Sequence, residues 1–474
     1  MGEQQQKQQQ ESPLHFVVIV LGDVGRSPRM QYHAMSLLHL GEHVNVSLVG
    51  YTGEDLIDEL QGEKQRLSVI RFHVPTPPAA LAQIRPLYFV WRVLTVSLWL
   101  LWALFTRVQK TPAVTAVLVQ NPPALPLLAI AALFCRLRQA RFIIDWHNLG
   151  FSMLDSHLLR KLVKAYEFRV APLADGHLTV THAMKKYFVE QTTLIHPPQQ
   201  QEEEGVIEVL HDCPPSLFRP LSVTEQHQIM SKLHSDLCKT IPRSWTTIHN
   251  LDPSVETILT TTRASTQQIQ PRQGRPALVT SSTSWTPDED FGLLLEALVH
   301  LDTAITQTHQ STLKVLVVVT GKGPQKELYL EKMSKLVLGS VAIQTVWLEP
   351  GDYPKLLACA DVAVSLHTST SGLDLPMKIL DSFGCHVPVC ARNFACLDEL
   401  VQDQHNGRVF ASAVELSNQL WELLSPLAAE LSTAAAAPHS FGKLAQYSKN
   451  LEGRERWQDN WSKHALPVLL GQTK

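Results

Sequence analysis

The feature that most constrains this chain's fold is a repeated alternation of short apolar runs with longer amphipathic segments. Continuous apolar runs stand at residues 14–23 (LHFVVIVLGD), 43–50 (HVNVSLVG), 116–123 (AVLVQNPP) and 141–148 (RFIIDWHN). Runs of this kind are typical of strands buried on both faces, as in parallel sheets covered by helices. A second series begins near residue 276. The sequence therefore predicts an α/β protein with two Rossmann-like, doubly wound domains.

Periodicity weakens and Ser, Thr, Gln and Pro accumulate between residues 221 and 275, so we place the domain boundary there. The predicted organisation has five parts. They are a disordered Gln-rich tail (1–13), an N-terminal Rossmann-like domain (14–220), a linker with a variable insertion (221–275), a C-terminal Rossmann-like domain (276–455) and a C-terminal helix packing back across the domains (456–474).

Composition excludes several classes of function. The 474 residues carry a net charge of −3 and no basic patch interleaved with aromatic residues, so no nucleic-acid partner is expected. Seven cysteines without a CxxC pair indicate buried thiols in a reducing compartment. The 21 histidines include no HExxH or similar spacing, so no metal site is predicted.

A strand, loop and helix unit at residues 365–389 has the form of an anion site. The apolar run before it ends at Leu366, a small polar loop HTSTSG follows, and Pro376 opens a helix at Leu375–Phe383. Free N–H groups at such a helix start can hold a diphosphate, and Asp381 could reach ribose hydroxyls. The alternative is an ordinary βα turn with a surface aspartate.

Two strand ends in the first series also carry polar residues. Asp145 and His147 follow the buried strand of RFIIDWHN, at the edge where open α/β sheets bind ligands. The turn GDVGRSP, with Gly22, Asp23, Gly25 and Arg26, resembles a dinucleotide fingerprint but lacks its third glycine. These glycines are therefore interpreted as allowing close approach to a ligand or to the other domain, and a nicotinamide oxidoreductase is disfavoured.

Seven motifs together resemble one family. They are GDVGRSPRMQYHA, LVQNPP, IDWHN, SSTSWTPDEDF, TGKGP, WLEPGDYP and HTSTSGLDLPMKILDSFGCHVPVCA. In this order they resemble the eukaryotic chitobiosyldiphosphodolichol β-mannosyltransferases, from about Leu14 to Leu470 with interruptions at 196–205 and 222–275. The resemblance implies a GT-B fold whose two domains face a cleft. It also implies inverting transfer of the first mannose from GDP-mannose to GlcNAc2-diphosphodolichol, in a β1,4 linkage, on the cytosolic face of the endoplasmic reticulum membrane.

The same resemblance implies roles for the second series of motifs. Thr370, Ser371 and Gly372 would face the diphosphate, and Asp381 would hold the ribose. Ser282, Thr283 and Ser284 would line the sugar-phosphate region, and Tyr353 would border the base. Gly321, Lys322 and Gly323 would lie beneath the nucleotide, with Lys322 a charge partner for phosphate or a solvated turn lysine.

Inversion requires a general base on the acceptor side, and Asp145 and His147 are the candidates. The choice stays open at this stage, and Asp145 could instead only orient His147. Helix N-termini and a lysine can stabilise a departing diphosphate, so no tightly bound cofactor or divalent metal is expected.

Two departures from the family's pattern leave alternatives open. No hydrophobic anchor is expected at the N-terminus, and Cys213 stands where the family would carry a lysine or arginine. The Cys213 substitution is the best argument for one alternative, a catalytically inactive membrane scaffold of the same fold. The other alternative is a retaining α-mannosyltransferase of that fold, which the overall motif match disfavours.

Residues Leu87–Phe105 are predicted to form a helix that lies in the headgroup layer of a membrane, because a true span would separate strands of one sheet. Its apolar face is predicted to include Val90, Val93, Leu94, Leu98, Leu101 and Leu104, with Arg85, Arg107 and Lys110 as flanking cations. The alternative is a helix buried on the sheet. Expected partners are GDP-mannose, the dolichol-linked chitobiose acceptor, the membrane surface and other mannosyltransferases of the dolichol pathway.

Overall fold

A computed structural model gives the structure of this protein. It describes residues 12–78, 83–109, 112–154, 156–195, 206–249, 251–308, 312–349, 351–369, 371–433 and 441–472. Most of the predicted tail, the insertion at 196–205 and Thr370 lie outside the described residues. The chain divides into a first unit, Met1–Asp212 with Trp457–Lys474, and a second unit, Cys213–Arg456.

The first unit is built on a parallel sheet. Its strands are β1 (Leu14–Asp23), β2 (Val44–Tyr51), β3 (Leu67–Phe72), β4 (Val114–Asn121), β5 (Arg141–Trp146), β6 (Gly176–Thr179) and β7 (Val206–Val209). Across the described residues their order is β3-β2-β1-β4-β5-β6-β7. Strand order reverses between β1 and β4, which is where doubly wound sheets open a crevice at the strands' carboxyl ends.

Helices connect these strands as right-handed crossovers require. They are α1 (Pro28–Leu38), α2 (Asp58–Gln61), α3 (Arg85–Trp102), α4 (Leu127–Arg138), α5 (His157–Val170), α6 (His182–Ile195) and, at the end of the chain, α15 (Trp457–Leu470). Contacts join α3 to α4 and α4 to α5, and separately join α1 to α2 and α15. Handedness places α3, α4 and α5 on one face of the sheet, because they serve the strands that progress from β3 through β6.

Helix α3 is the apolar segment noted in the sequence, and it continues as a π-helical turn at Ala103–Arg107. It is long and apolar enough to cross a membrane, yet it joins β3 to β4, two strands of one sheet. A crossing is therefore excluded by topology, as predicted. The predicted lipid face is partly wrong, because Leu104 is fully buried and belongs to the core, as do Val96 and Leu100.

The second unit has its own parallel sheet. The strands are β10 (Ala277–Ser282), β11 (Val315–Thr320), β12 (Val341–Val346), β13 (Val362–Ser365), β14 (Val389–Arg392) and β15 (Gly407–Phe410), in the order β12-β11-β10-β13-β14-β15 within the described residues. A short antiparallel pair, β8 (Thr260–Thr262) and β9 (Ile269–Pro271), precedes the sheet. The helices are α7 (Val223–Leu237), α8 (Thr246–His249), α9 (Phe291–Gln307), α10 (Lys326–Ser334), α11 (Tyr353–Leu357), α12 (Met377–Gly384), α13 (Ala413–Thr433) and α14 (Gly442–Leu451).

The segment predicted as a linker, 221–275, is instead part of the second unit. Helix α7 starts with a capping box in which the Ser222 and Glu225 side chains each accept from the other's backbone N–H. Its buried face, with Met230 and Leu237 at its centre, joins the core that contains Leu316 of β11. Burial of these side chains fixes α7 on the sheet, so the change of unit falls at residues 212–213.

Helix α15 completes the first unit. The indole N–H of Trp457 donates to the carbonyl of Tyr32 (3.3 Å) and to Oγ of Ser36 (3.0 Å), and Trp461 is fully buried. The sequence predicts a helix that packs across both domains. The packing described here is with the first unit, and contact with the second stays a prediction.

Candidate functional site

A buried aspartate ends β5 and organises the polar residues of the first unit. Asp145 has no exposed surface, and its carboxylate accepts from Nε and Nη2 of Arg29, both at 2.8 Å. This is the bidentate pairing that Arg and carboxylate groups favour. Arg29 also donates to Oδ1 of Asp212 (2.7 Å) and to the carbonyl of Leu210 (3.1 Å). The cation thus ties α1 to the ends of β5 and β7.

Two histidines also contact Oδ2 of Asp145, the oxygen that accepts from Nε of Arg29. Nε2 of His147 lies 2.8 Å from Oδ2, and Nε2 of His33 lies 3.2 Å from the same atom. An ionised carboxylate only accepts hydrogen bonds, so both nitrogens carry protons. Nδ1 of His33 accepts from the indole N–H of Trp461 at 2.9 Å, which makes His33 a neutral Nε2–H tautomer.

The charge state of this cluster follows from its burial and its partners. Burial alone would raise the pKa of Asp145, but Arg29 and His147 outweigh it and hold that pKa well below its usual range. Burial lowers the pKa of His33 despite its contact with Asp145. Asp145 is therefore a fixed anion whose acceptor positions are occupied.

The geometry distinguishes the two candidates for the general base. Asp145 is fully buried, whereas the side chain of His147 is 22% exposed. Because Nε2 of His147 is committed to Asp145, Nδ1 is the ring atom that can accept a proton. This arrangement matches the alternative in which Asp145 orients His147. The identity of the general base stays a prediction.

Arg29 and His33 are site residues that the sequence analysis missed. They stand four residues apart on α1, and both are buried. Residues at this spacing share one helix face, so a buried Arg and His there indicate a carboxylate partner. That signal is present in SPRMQYHA, but the partner lies 116 positions away in sequence.

The loop after His147 is held by a second buried carboxylate. Oε1 of Glu167 accepts from the N–H of Gly150 (3.1 Å) and from Nδ2 of Asn121 (3.4 Å). A Cβ at Gly150 would lie 2.5 Å from that oxygen, so a larger residue there would displace the Glu167 carboxylate. Burial raises the pKa of Glu167 to about 7, against the lowering effect of these donors.

The turn after β1 brings two loops together. Asp23 accepts from the backbone N–H groups of Gly25 (3.0 Å) and Glu54 (3.0 Å), and Arg26 pairs with the Glu54 side chain. A Cβ at Gly25 would lie 2.4 Å from the carbonyl oxygen of Glu54. Close packing within the first unit therefore explains Gly25. Gly22 tolerates a Cβ, whose nearest contact would be 3.4 Å away.

In the second unit, hydrogen bonds join three of the predicted donor-site residues. Oγ of Ser282, at the end of β10, lies 3.0 Å from Oη of Tyr353, which lies 3.4 Å from Oδ2 of Asp381 on α12. Thr320, at the end of β11, donates to Ser282 (3.2 Å). Burial, reinforced by the charge of Asp381, raises the pKa of Tyr353 far above its usual range, so its phenol stays protonated.

A lysine and a buried glutamate lie beside this chain of hydrogen bonds. Glu289 accepts from Oγ1 of Thr283 (2.6 Å) and from the N–H of Ser284 (2.5 Å), and its other oxygen pairs with Nζ of Lys378. Nζ of Lys378 also lies 3.3 Å from Oγ of Ser284. The sequence analysis missed Lys378 and Glu289, although Lys378 stands in the first turn of the helix predicted to bind the anion.

The glycines after β11 allow a close contact with the loop after β10. A Cβ at Gly321 would lie 1.8 Å from the Thr283 carbonyl oxygen, and one at Gly323 would lie 1.7 Å from that of Ser284. Nζ of Lys322 lies 3.5 Å above the ring of Trp347, as in a cation–π contact. The sequence left two interpretations of Lys322, a charge partner for phosphate or a solvated turn lysine. The structure adds a third, in which the ammonium group is held over the ring of Trp347.

The loop before α12 is ordered around Asp374. Oγ of Ser371 donates to Oδ1 of Asp374 (3.2 Å), which also accepts from Ser369, and the N–H of Gly372 donates to Oγ of Ser369 (2.8 Å). Gly372 has φ +73°, a left-handed conformation that glycine adopts without strain. Helix α12 begins at Met377 with Pro376 as its N-cap, close to the predicted start.

Cys213, the departure noted in the sequence, is a buried cysteine that is not in a disulfide. Arg454 belongs to the same unit and packs over the ring of Phe383 on α12, with Cζ 5.0 Å from the ring centroid. Burial lowers the pKa of Arg454, while the nearby Cys213 opposes that effect. A basic group thus approaches Cys213 from another part of the chain.

Known proteins resemble both the sequence and the fold. The profile of the family Glycosyl transferases group 1 matches residues 275–426. The Mus musculus chitobiosyldiphosphodolichol beta-mannosyltransferase is 38% identical over 464 residues, which cover 96% of this chain and 89% of the mouse protein. The Arabidopsis thaliana protein named UDP-glycosyltransferase TURAN is 36% identical over 476 residues, covering 95% of this chain and 96% of its own.

A solved structure extends the likeness to the fold. HepE from Anabaena in complex with UDP superposes with a TM-score of 0.55 at 14% identity, covering 97% of this chain and 98% of HepE. Identity at that level concerns the fold alone. With the two parallel sheets it confirms the predicted GT-B class, with two Rossmann-like domains.

Proposed function

Because the chain belongs to the chitobiosyldiphosphodolichol β-mannosyltransferase family, as its sequence motifs predict, we propose that it transfers mannose from GDP-mannose to GlcNAc2-diphosphodolichol. The product is a β1,4-linked mannoside formed with inversion. The observation that carries the proposal is identity of 37–38% with mammalian enzymes of this name across nearly the whole of both chains. The polar clusters of the two units supply groups suited to that chemistry.

The second unit binds the donor in this proposal. Asp381 accepts from ribose hydroxyls, and Tyr353 and Ser282 hold its carboxylate in place from the side of the sheet. Lys378 and the N–H groups around Ser371 and Gly372 face the diphosphate. Lys378 is the better-placed cation, because it stands on α12 beside the loop, whereas Lys322 contacts Trp347.

The first unit supplies the base. Nδ1 of His147 takes the proton from the C4 hydroxyl of the acceptor's terminal GlcNAc as that oxygen bonds to C1 of mannose. The bond from C1 to the diphosphate breaks, and GDP leaves with its electron pair. Asp145 keeps Nε2 of His147 protonated and stabilises the imidazolium that forms, while Arg29 keeps Asp145 ionised.

Departure of GDP develops negative charge on the diphosphate. Lys378 and the N-terminus of α12 offset that charge in this proposal, so the reaction proceeds without a divalent metal. The salt bridge from Lys378 to the buried Glu289 fixes the lysine's position before the donor arrives. Because the charge that develops on the departing diphosphate is negative, a cation beside this loop stabilises it.

The acceptor is a membrane lipid, and the exposed side of α3 is where we propose that the protein meets the membrane. Leu98 is 68% exposed, and Leu87, Val90 and Leu94 are exposed on the same stripe. A helix of this kind lies in the headgroup layer. From the family we propose that this membrane is the endoplasmic reticulum and that the protein lies on its cytosolic face. Association with other mannosyltransferases of the pathway stays a prediction.

The experiment is an assay of the purified chain with labelled GDP-mannose and a lipid-linked chitobiose acceptor. A labelled lipid-linked trisaccharide that β-mannosidase cleaves and α-mannosidase does not is the expected product. Cleavage by α-mannosidase would instead identify a retaining enzyme. No product with native protein would favour the scaffold alternative, and a higher rate with a UDP-sugar would reject GDP-mannose as the donor.

A further inference from the structure

Exposed apolar side chains are not confined to α3 but continue on α4, which contacts α3, and on α5, which contacts α4. On α4, Leu133 and Leu137 are exposed, the latter by 63%. On α5, Leu158 and Leu162 are exposed, the former by 67%. Each pair is four residues apart, so each forms one ridge along its helix. Leucines this exposed on a water-soluble surface are unusual when they gather on neighbouring elements.

The three helices form one continuous surface, which we call the α3–α5 face. The ring of Phe105, after α3, lies 5.3 Å from that of Phe134 on α4. The backbone N–H of Ala129 on α4 donates to Oη of Tyr166 on α5 at 3.0 Å. Crossover handedness puts all three helices on the same side of the sheet, so their outward ridges face the same direction.

The charge on this face is of one sign. Its exposed cations include Arg107 after α3, Arg136 on α4, and Lys161 and Arg169 on α5. Among the residues of these three helices, Glu167 is the one acid, and it is buried. The whole chain nevertheless carries a net charge of −3. A cationic apolar face on an acidic protein complements an anionic lipid surface.

We propose that the α3–α5 face is a single membrane-docking surface, in which the leucines of α4 and α5 enter the headgroup layer together with α3 and the cations bind anionic lipid headgroups. The proposal deepens the function proposed above, on which its biological role rests. A second copy of the chain is a poorer occupant, since a two-fold contact would oppose cations to cations. Contact through three ridges also fixes how the sheet is oriented on the membrane, which one helix cannot do.

The test is flotation with phosphatidylcholine vesicles, prepared with or without phosphatidylinositol, in the absence of both substrates. The L133S/L137S and L158S/L162S variants should each bind vesicles of both kinds about tenfold more weakly. The R136E/K161E variant should lose about tenfold or more on phosphatidylinositol vesicles alone. The matched control is L328S/V337S, two exposed apolar residues of the second unit, which should bind like the native protein.

Measurements of thermal unfolding and of GDP-mannose affinity establish that each variant is folded. The R136E/K161E variant also tests the face without removing any of its leucines. The proposal is overturned if the α4 and α5 leucine variants float like the control while an L94S/L98S variant of α3 does not. It is also overturned if the native protein is a dimer without lipid and the leucine variants are monomers. Native protein that floats through this face yet fails to transfer mannose would refute the proposed function alone.

Discussion

Nε2 of His147 lies 2.8 Å from Oδ2 of Asp145, and Arg29 binds the same carboxylate through Nε and Nη2 of its guanidinium. The carboxylate therefore stays ionised and holds the imidazole with Nδ1 available for a proton. A buried acid that is already paired with a cation makes a good positioning residue and a poor base. This relationship separates the roles of two residues that are adjacent at the end of β5.

Replacing His147 by Ala removes the proposed base. Turnover should fall by roughly 10²–10⁴-fold, because general-base assistance is lost, while GDP-mannose affinity stays at the native value. Initial rates with the lipid-linked acceptor, together with donor titration, measure both. A variant with native turnover would remove this strand end from the mechanism.

Replacing Asp145 by Asn should destabilise the protein as well as slow it. Arg29 would lose its buried anionic partner, and breaking such a pair costs about 3–5 kcal/mol. Denaturant unfolding at neutral pH measures this cost. Asp212→Asn is the matched control, since that partner of Arg29 is partly exposed and its loss should cost clearly less. Equal costs would contradict the central place given to Asp145.

The pKa of Asp145 also fixes the sign of a pH effect. A carboxyl whose folded pKa is depressed stabilises the fold above its unfolded value near 3.8, and this contribution is lost as pH falls through the folded value. Native protein should therefore lose stability on acidification below about pH 4, and the Asn variant should lose less over that range. Parallel pH curves for the two proteins would be inconsistent with the ion pair.

The raised pKa of Glu167 predicts the opposite dependence of stability on pH. Its pKa is raised to about 7, so the folded state binds a proton that the unfolded state releases near pH 4.5. Stability should fall as pH rises from about 4.5 to 7, by about 3 kcal/mol in all. Glu167→Gln should remove this loss, so its stability relative to native should be greater at pH 8 than at pH 5. An unchanged difference between the two pH values would show that Glu167 is ionised throughout.

Asp381→Ala should weaken GDP-mannose binding about 10–100-fold, because a charged acceptor for the ribose hydroxyls is lost. Calorimetric titration with GDP and GDP-mannose measures the effect. Tyr353→Phe is the milder comparison, because it removes only the hydroxyl that holds Asp381, and it should cost less. Near-native affinity in the Ala variant would reject the ribose assignment.

Local patterns predicted the elements better than their partners. The apolar runs locate β1, β2, β4 and β5 because buried parallel strands need continuous hydrophobic sequence. Asp145 stood out because it ends such a run. Arg29 and Lys378 did not, since the carboxylates that hold them, Asp145 and Glu289, are far away in sequence. Only the folded sheet brings each cation to its acid.

Helix α7 shows a different limit. Its polar composition suggested a linker, although Ser222 and Glu225 have the spacing of a capping box. The buried Ile229, Met230, Leu233 and Leu237 also follow a helical period. Composition averaged over the 221–275 segment concealed this helix, although the sequence contains both its N-terminal capping signal and the periodic apolar residues of its buried face. Here the period was the better guide.

The dependence of the first unit on α15 has a consequence for how the chain is made. Trp457 and Trp461 leave the ribosome only after the entire second unit has been synthesised, yet they bury α1 and supply the hydrogen bond to His33. Folding of the first unit therefore cannot be completed, and part of its interior stays exposed to water, until translation is nearly finished. A premature stop just before Trp457 would remove few residues, but it would leave that domain permanently unfinished.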